Sequence, residues 1–227
     1  MRAPESNRIT AVPLRSVRLD LEPLRLDDAA ELAVALADPA LHAFIGGAPL
    51  PEPELRARYA RLLAGSPDPD VSWCNWTLRL REDEERTGMA EPEVVTDAVA
   101  VADAVAVVVG TVQVTVTPGS AEVAWVVGTP WQGRGLAREA AVVLTGWLRE
   151  RGVPRLVAHV HPEHHASAAV AAAAGLAPTE VFHDGERRWE WHRQVLEPFT
   201  QPLPTPVHCS RIPPAGPHHE NGVSVCE

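Results

Sequence analysis

The sequence contains no lysine, and all 20 of its basic side chains are arginine. Acidic side chains outnumber basic ones, and the net charge of -10 argues against nucleic acid or an anionic membrane as the main partner. No apolar run approaches the roughly 20 residues that span a bilayer, and no apolar segment of the secretory type follows the N-terminal arginines. We therefore expect a cytoplasmic protein with no nucleic-acid and no membrane partner.

Cysteine is scarce, and two common nucleotide-binding motifs are missing. Cys74, Cys209 and Cys226 have no spacing typical of a metal or redox site, so we predict reduced thiols and no metal. Without lysine the chain cannot carry the phosphate-binding motif G-x-x-x-x-G-K-[ST], and it also lacks the three-glycine dinucleotide pattern. Both of these nucleotide-binding classes are disfavoured.

The 227 residues are enough for one domain with a hydrophobic core and some additional length. We predict an N-terminal extension at 1–13, one domain at 14–197 and a disordered Pro-rich tail at 198–227, where proline is frequent and apolar periodicity is lost. A second polar segment, 82–97, carries seven acidic side chains and one arginine. It is interpreted as a solvated hairpin loop, with a docking site for a basic partner as the alternative.

Apolar periodicity divides the predicted domain into strands and helices. Two-residue alternation and valine-rich runs predict strands, whereas apolar residues at helical spacing predict helices. The predicted strands cover 15–26, 73–80, 99–116, 121–127 and 155–160, and a hairpin covers 180–191 with its turn at Asp184-Gly185. The predicted helices lie near 28–37, 55–63, 136–148 and 166–174, and Asp27 or Asp28 is expected to cap the first.

The most informative segment is 132–137, with the sequence QGRGLA, between a predicted strand and an amphipathic helix. Glycine lets the backbone approach a ligand closely, and the first turn of a helix offers free N–H groups and the positive end of its dipole. Such a helix start is suited to a pyrophosphate. Simple turn chemistry also uses paired glycines, so the spacing alone does not identify a ligand.

Three segments in order resemble the GNAT family of N-acetyltransferases, in particular the branch that contains the ribosomal-protein N-terminal acetyltransferases. QGRGLA is similar to the family signature Q/R-x-x-G-x-G/A, with Ala137 in the last position. AEVAWVV at 121–127 resembles the family's fourth strand. HPE at 161–163, ASAAV at 166–170 and Gly175-Leu176 resemble the segment from its fifth strand into the next helix. The resemblance covers residues 14 to 195.

This resemblance implies an α/β fold with a mixed, mostly antiparallel sheet, flanked by helices, whose fourth and fifth strands splay apart. Acetyl-CoA is the implied co-substrate, with its pantetheine arm paired to backbone around Val126 and Val127 and its pyrophosphate on the N–H groups from 133 to 137. The implied cofactor-binding residues are Val126, Val127, Gln132, Gly133, Arg134, Gly135, Leu136, Ala137 and His164. For Arg134, a solvated side chain is the alternative.

The resemblance also implies the chemistry, in which a neutral amine attacks the thioester directly. Glu122 is the candidate base, directly or through water; the alternative is a surface carboxylate paired with an arginine. Ser167 is the candidate acid for the departing thiolate; the alternative is a hydroxyl that satisfies backbone donors at the helix start. His164 departs from the family pattern, which usually has asparagine there, and its role stays open.

The implied function is transfer of the acetyl group of acetyl-CoA to a primary amine, on a small molecule or a protein N-terminus. The alternatives are a catalytically inactive CoA-binding sensor or scaffold, and an interaction module that works through 82–97 and the tail. Trp73, Trp76 and Trp125 are candidates for the acceptor pocket, although large aromatic residues on strands more often belong to the core. A homodimer is compatible with the resemblance.

Overall fold

One sheet of eight strands carries five helices in the described part of the chain. The structure, a computed structural model, describes residues 8–81 and 106–193, apart from the Ile45 side chain. The strands are β1 (Leu14–Arg15), β2 (Leu19–Pro23), β3 (Ser72–Leu80), β4 (Val107–Thr117), β5 (Ser120–Val127), β6 (Arg155–Val160), β7 (Ala177–His183) and β8 (Glu186–His192). The helices are α1 (Asp28–Ala35), α2 (His42–Ile45), α3 (Glu52–Leu63), α4 (Leu136–Glu150) and α5 (His165–Ala173).

The predicted acidic loop at 82–97 and the predicted tail at 198–227 lie outside the described residues. Both interpretations therefore stay predictions, as do the domain boundaries at 14 and 197. The hairpin predicted at 180–191 is confirmed as β7 and β8, with positive φ angles at Asp184 and Gly185 in its turn.

The sheet has the order β1-β2-β3-β4-β5-β6-β8-β7. Neighbouring strands run antiparallel except β5 and β6, which are parallel. A parallel pair needs a crossover connection, and α4 supplies it between the end of β5 and the start of β6. The mixed, mostly antiparallel sheet flanked by helices is confirmed.

β5 and β6 pair at only two positions, Ala121 with Leu156 and Glu122 with Val157. β5 continues to Val127 and β6 to Val160 without further pairing to each other. The strands therefore diverge towards their carboxyl ends, and backbone groups of β5 on that side have no strand partner. This is the splay that the resemblance implied for the fourth and fifth strands. It lies between β5 and β6 because the first predicted strand is divided into β1 and β2.

The first predicted strand, 15–26, is two strands separated by a turn. Ser16 N donates to the Leu19 carbonyl oxygen, and Leu19 N donates to Ser16 Oγ, both at 2.9 Å. Val17 lies in this turn and is exposed instead of facing the core. Alternation does not reveal this break, because Val17, Leu19 and Leu21 keep a two-residue spacing across it.

Two apolar clusters hold the helices to the sheet. The larger one joins α4 to the sheet through side chains such as Leu144 and Val123. The smaller one joins α1 and α3 through Leu32, Leu55 and Tyr59, on the face of β5 that also carries Glu122. Each fully buried leucine stabilises the fold by roughly 1.5–3 kcal/mol relative to an exposed one. The helical spacing predicted from these residues is confirmed.

A buried carboxylate fixes the start of α1. Asp27 occupies the cap position but makes no side-chain cap hydrogen bond. The Asp28 carboxylate, which is 1% exposed, instead accepts hydrogen bonds from Arg25 N, Thr77 Oγ1 and Arg79 Nη2 at 2.7–2.8 Å. Because a buried charge without partners would be strongly destabilising, this network ties α1 to β3.

Gly110 is a point of close approach between β4 and β5. A Cβ there would overlap the carbonyl oxygen of Val126 and lie 2.9 Å from the Cα of Val127. The register of β3 against β4 also shifts beside Gly110, which makes a β-bulge. The glycine lets the carboxyl end of β5 lie close to β4, five residues beyond Glu122, the last position at which β5 pairs with β6.

We expect Gly110→Ala to destabilise the protein by about 1–3 kcal/mol, because the added methyl group forces β4 and β5 apart. Gly146→Ala is the matched control. A Cβ at Gly146 meets nothing within 4 Å, and alanine inside a helix is favoured by roughly 0.5–1 kcal/mol. Urea unfolding measures both variants, and a Gly110→Ala protein as stable as the wild type would contradict the close approach.

Candidate active site

α4 begins at an uncapped end. Gly135 occupies the N-cap with φ +77° and offers no side-chain oxygen to the first-turn N–H groups. Glu139 N donates to the Gly135 carbonyl oxygen at 3.0 Å and closes the first helical turn. The N–H groups of 136–138 precede this bond and have no intrahelical partner. Together with the helix dipole they form an arrangement suited to phosphate oxygens.

The loop that precedes α4 is closed by Gln132, whose Nε2 donates to the Val127 carbonyl oxygen at 3.0 Å. Its side chain thus holds the loop against the end of β5. Gly133 has φ +73°, and a Cβ there would meet nothing within 4 Å, so the backbone is open to a ligand. Arg134 is exposed.

Arg18, from the turn between β1 and β2, braces the same loop. Its Nη1 donates to the Arg134 carbonyl oxygen at 3.1 Å, and its Nε donates to Glu139 Oε2 at 2.8 Å. Glu139 Oε1 also accepts from Ser16 Oγ and Arg18 N, both at 2.6 Å. Burial raises the pKa of Glu139, but these hydrogen bonds and the Arg18 charge outweigh it and hold the pKa below its ordinary value.

The open edge of β5 offers particular backbone groups. Gly128 N donates to the Val109 carbonyl oxygen at 2.9 Å, so the backbone at 128 points to β4. Because this direction alternates along an antiparallel strand, we infer that Val126 also points to β4, whereas the N–H and C=O groups of Trp125 and the N–H group of Val127 point into the splay. The Val127 carbonyl oxygen already accepts from Gln132 Nε2. Backbone pairing to a pantetheine arm would therefore fall on Trp125 and Val127.

The splay and the start of α4 border one cavity of about 630 Å³, here named the α4 groove. It is lined by all but one of the predicted cofactor-binding residues: Val126, Val127, Gln132, Gly133, Gly135, Leu136, Ala137 and His164. The residue left out is Arg134, whose carbonyl oxygen is held by Arg18. The structure therefore gathers residues from β5, the loop and α5 around one space.

His164 caps α5, because its Nδ1 accepts a hydrogen bond from Ser167 N at 2.9 Å. A ring nitrogen that accepts a hydrogen bond carries no proton, so the neutral ring holds its proton on Nε2. An asparagine oxygen could accept the same bond, and the histidine therefore preserves the cap with a different acceptor.

Ser167 is half-buried, and its hydroxyl makes no hydrogen bond to any residue in 8–81 or 106–193. The alternative role for Ser167, a hydroxyl that satisfies backbone donors at the helix start, is therefore taken by the His164 ring. The Ser167 hydroxyl stays available to a ligand.

A second cavity, of about 540 Å³, lies between the sheet and the helices α1 and α3, and is here named the α1–α3 cavity. Its helical wall is mostly apolar, with Leu32, Leu36, Leu55, Tyr59 and Leu62, and also carries Arg58. Its strands contribute polar side chains, namely Asn75, Gln113, Glu122 and His159, with Glu186 at the start of β8. Of the three tryptophans predicted for an acceptor pocket, Trp125 lines this cavity and Trp73 does not. Trp76 is fully buried in the larger core cluster, edge-on against Trp147 of α4, and so belongs to the core.

The two cavities meet, and six residues line both: Leu41, Phe44, Trp125, Val126, His164 and Ser167. Phe44 packs edge-on against the His164 ring, with centroids 4.3 Å apart, and its ring centroid is 5.5 Å from that of His161. The predicted acid, Ser167, thus stands where a ligand in one cavity would contact a ligand in the other.

Glu122 lies in the α1–α3 cavity, paired with His159 instead of an arginine. Its Oε1 is 3.4 Å from His159 Nδ1, and no arginine of the described residues forms an ion pair with it. His159 Nε2 is buried and has no partner among those residues. Because a buried N–H without an acceptor is costly, the proton belongs on Nδ1, from which it is donated to Glu122.

The sequence does not predict a role for His159. Its pairing with Glu122 requires β5 beside β6, and no local pattern distinguishes it from His161 or His165. Arg18 was also missed, because its contact with Glu139 joins positions 121 residues apart.

These features match a known family. The family described as an acetyltransferase (GNAT) domain matches residues 18–177, which contain the α4 groove and Ser167. The chain belongs to the GNAT family. Members of the GNAT family are acetyltransferases and use acetyl-CoA, so this chain is assigned to acyl transfer. The resemblance inferred from the three sequence segments is confirmed.

Solved structures of acetyltransferases share the fold. An acetyltransferase from Agrobacterium tumefaciens is 24% identical, with a TM-score of 0.58 over 82% of this chain and 96% of that one. A GNAT-family acetyltransferase from Bacillus anthracis is 16% identical, with a TM-score of 0.59 over 80% and 98%. RimL, a ribosomal alpha-N-protein acetyltransferase in complex with coenzyme A, is 13% identical, with a TM-score of 0.59 over 80% and 98%. No curated protein matches the chain in sequence.

Two further features of this GNAT chain concern membranes and metals. In the residues that the structure describes, no helix combines the length and apolar character needed to cross a membrane. Within 8–81 and 106–193, no group of three or more His, Cys, Asp or Glu side chains is arranged to hold a metal ion.

We expect the contacts of the Glu139 carboxylate with Ser16 and Arg18 to stabilise the protein near neutral pH. This contribution should be lost in acid. The folded pKa lies below the ordinary 4.5, so the contribution is complete above about 4.5 and is lost as the pH falls through the folded pKa. Urea unfolding from pH 7 to pH 3.5 should show Glu139→Gln less stable by roughly 1–3 kcal/mol at pH 7, with the difference shrinking in acid.

The control is Glu150→Gln at the end of the same helix, since the Glu150 carboxylate is exposed and forms no ion pair with the described residues. Its stability should follow the wild type at every pH. A Glu139→Gln deficit that grew on acidification would refute the assignment of a lowered pKa.

Proposed function

We propose that this GNAT protein transfers the acetyl group of acetyl-CoA to a primary amine, on a small molecule or a protein N-terminus. The observation that carries the proposal is the meeting of the α4 groove with the α1–α3 cavity at Val126, His164 and Ser167. A cofactor in the groove and an acceptor in the cavity would bring thioester and amine together there. Holding both reactants in one site removes much of the entropic barrier to their reaction.

The α4 groove supports acetyl-CoA through two sets of backbone groups. The pyrophosphate would lie on the free N–H groups of 136–138, beside the open backbone of Gly133 and Gly135. The pantetheine arm would continue along the open edge of β5 and pair with Trp125 and Val127. It would end at Ser167 and His164, which presents its Nε2 proton at the junction.

In the proposed reaction, the amine nitrogen attacks the thioester carbon, forming a C–N bond and breaking the C–S bond. A tetrahedral oxyanion lies between these steps and needs hydrogen-bond donors. The amine gives up one proton, and the departing CoA thiolate takes one, so the products are the N-acetyl amine and free CoA. Ser167 donates the proton to the thiolate and recovers one from solvent.

Glu122 would receive the amine proton through a chain of several waters, because it lies away from the meeting point of the cavities. Val126, at the meeting point, is four residues further along β5, which is roughly 13 Å at about 3.3 Å per residue. His159 stands two residues beyond Val157, the register partner of Glu122, and is therefore closer to the meeting point. The hydrogen bond from His159 Nδ1 keeps the Glu122 carboxylate directed towards this end of the cavity.

The first test concerns the cofactor site. Gly135→Asp should weaken acetyl-CoA binding by more than about 100-fold, because the introduced carboxylate repels the pyrophosphate and competes for its N–H donors. Gly119→Asp is the matched control, since Gly119 also has a positive φ, of +88°, with nothing within 4 Å of its Cβ position, but lies in the β4–β5 turn. Calorimetric titration measures both. Unchanged affinity in Gly135→Asp would refute the placement.

The second test concerns the acid. Ser167→Ala should lower kcat by about 100-fold and change the Kd of acetyl-CoA by less than about threefold. The cap of α5 survives this change, because His164 accepts from the backbone N of residue 167 and not from the hydroxyl. Release of free CoA gives kcat, and titration gives Kd. Equal losses in both would leave Ser167 with a binding role alone.

A further inference from the structure

The helical wall of the α1–α3 cavity is a nearly continuous apolar surface. Leu32 of α1, Leu36 directly after α1, and Leu55 and Leu62 of α3 all line it, and Arg58 of α3 interrupts it. Tyr59 lies between the leucines of α3, and burial raises its pKa to about 12, so its ring stays uncharged. Water against such a wall finds few hydrogen-bond partners, and an apolar group that displaces it is favoured.

Two carboxylates line the sheet side of the cavity, Glu122 on β5 and Glu186 at the start of β8. Glu190 is the β8 residue level with Glu122 across β6, so Glu122 and Glu186 are roughly 13 Å apart along the strands at about 3.3 Å per residue. Glu122 and Arg58 are both exposed, so water screens both charges. Glu186 is half-buried, forms no ion pair with the described residues and lies beside the end of β6, nearer to the proposed reaction centre.

The sheet order keeps Glu186 apart from the apolar wall. α1 packs on β4 and α3 on β3, while Glu122 and Glu186 belong to β5 and β8. Strands lie about 4.8 Å apart, so across the sheet Glu122 is roughly 5–10 Å and Glu186 roughly 14–19 Å from the strands under the helices. A ligand that spans the cavity would have its charged end at the β5–β6 splay and its body under the helices.

We infer that the acceptor is a cationic primary amine carried on an apolar body, such as an aromatic or branched aliphatic amine, and that Leu62 and Glu186 help to select it. This inference rests on the proposed function and specifies its acceptor. Glu186 attracts the ammonium form, which releases one proton to solvent to become the attacking neutral amine, and the leucine wall holds the body. The volume of about 540 Å³ is sufficient for an amine of this size.

The experiment compares three amines with the full chain and acetyl-CoA, using release of free CoA as the readout. Phenethylamine has an apolar body, ethanolamine lacks one, and phenylalanine adds a carboxylate to the first. We expect kcat/KM for phenethylamine to exceed that for ethanolamine by at least about tenfold. We also expect phenylalanine to be the poorer substrate of the aromatic pair, because its carboxylate meets Glu186.

Two pairs of variants test the residues. Leu62→Gln should raise the KM for phenethylamine by about tenfold, and by less for ethanolamine, because it makes the wall polar. Leu63→Gln is its neighbour and control, since Leu63 is 49% exposed and does not line the cavity. Glu186→Gln should raise the KM for phenethylamine severalfold at low salt, with Glu150→Gln as the control of equal charge. Acetyl-CoA titration checks that each variant is folded.

The results distinguish failure of the proposed function from failure of the inference about the acceptor. A folded wild-type protein that does not bind acetyl-CoA would overturn the proposed function itself. Acetyl-CoA binding with ethanolamine used as well as phenethylamine would overturn only the inference about the acceptor. Preference for phenylalanine over phenethylamine would also overturn it, because Arg58 would then be the selecting group. Leu62→Gln and Leu63→Gln proteins with the same KM for phenethylamine would contradict the role of the leucine wall.

Discussion

The site depends on the short pairing between β5 and β6. Two aligned positions, at Ala121 and Glu122, hold the strands side by side, and beyond them the strands separate. The separation leaves backbone groups of β5 without strand partners, and such groups are costly unless water or a ligand satisfies them. Since α4 starts at the same end, its free N–H groups face the same opening. The α4 groove therefore begins where the pairing of β5 with β6 ends.

Contacts far from the proposed chemistry keep that opening in shape. Arg18 and Glu139 hold the loop before α4 from the β1–β2 turn, and Gln132 closes it against Val127. Gly110 lets β4 approach β5 without a side chain between them. On the other face, the buried Asp28 fixes α1, which carries part of the leucine wall. Each contact lowers the freedom of one border of the site, so that it is ordered before a ligand binds.

His164 shows how a departure from a family pattern can be conservative. Its ring Nδ1 accepts the Ser167 N–H at the start of α5, a bond that an asparagine oxygen could also accept. The substitution therefore does not favour an inactive protein. It keeps the helix start in place and leaves the Ser167 hydroxyl free between the two cavities.

The sequence by itself determined the GNAT family, the order of strands and helices, and the cofactor loop, because these depend on short-range patterns: the alternation of 121–127, the glycines of QGRGLA and the apolar spacing of α4. Only the tertiary structure decided the break of the first strand, the Glu122–His159 pair, the Arg18 brace and the meeting of the two cavities. Each of these joins residues that lie far apart in the chain or on different strands, or depends on a hydrogen bond that competes with a regular pattern. Their energies come from contacts across elements, which a local pattern of residues does not encode.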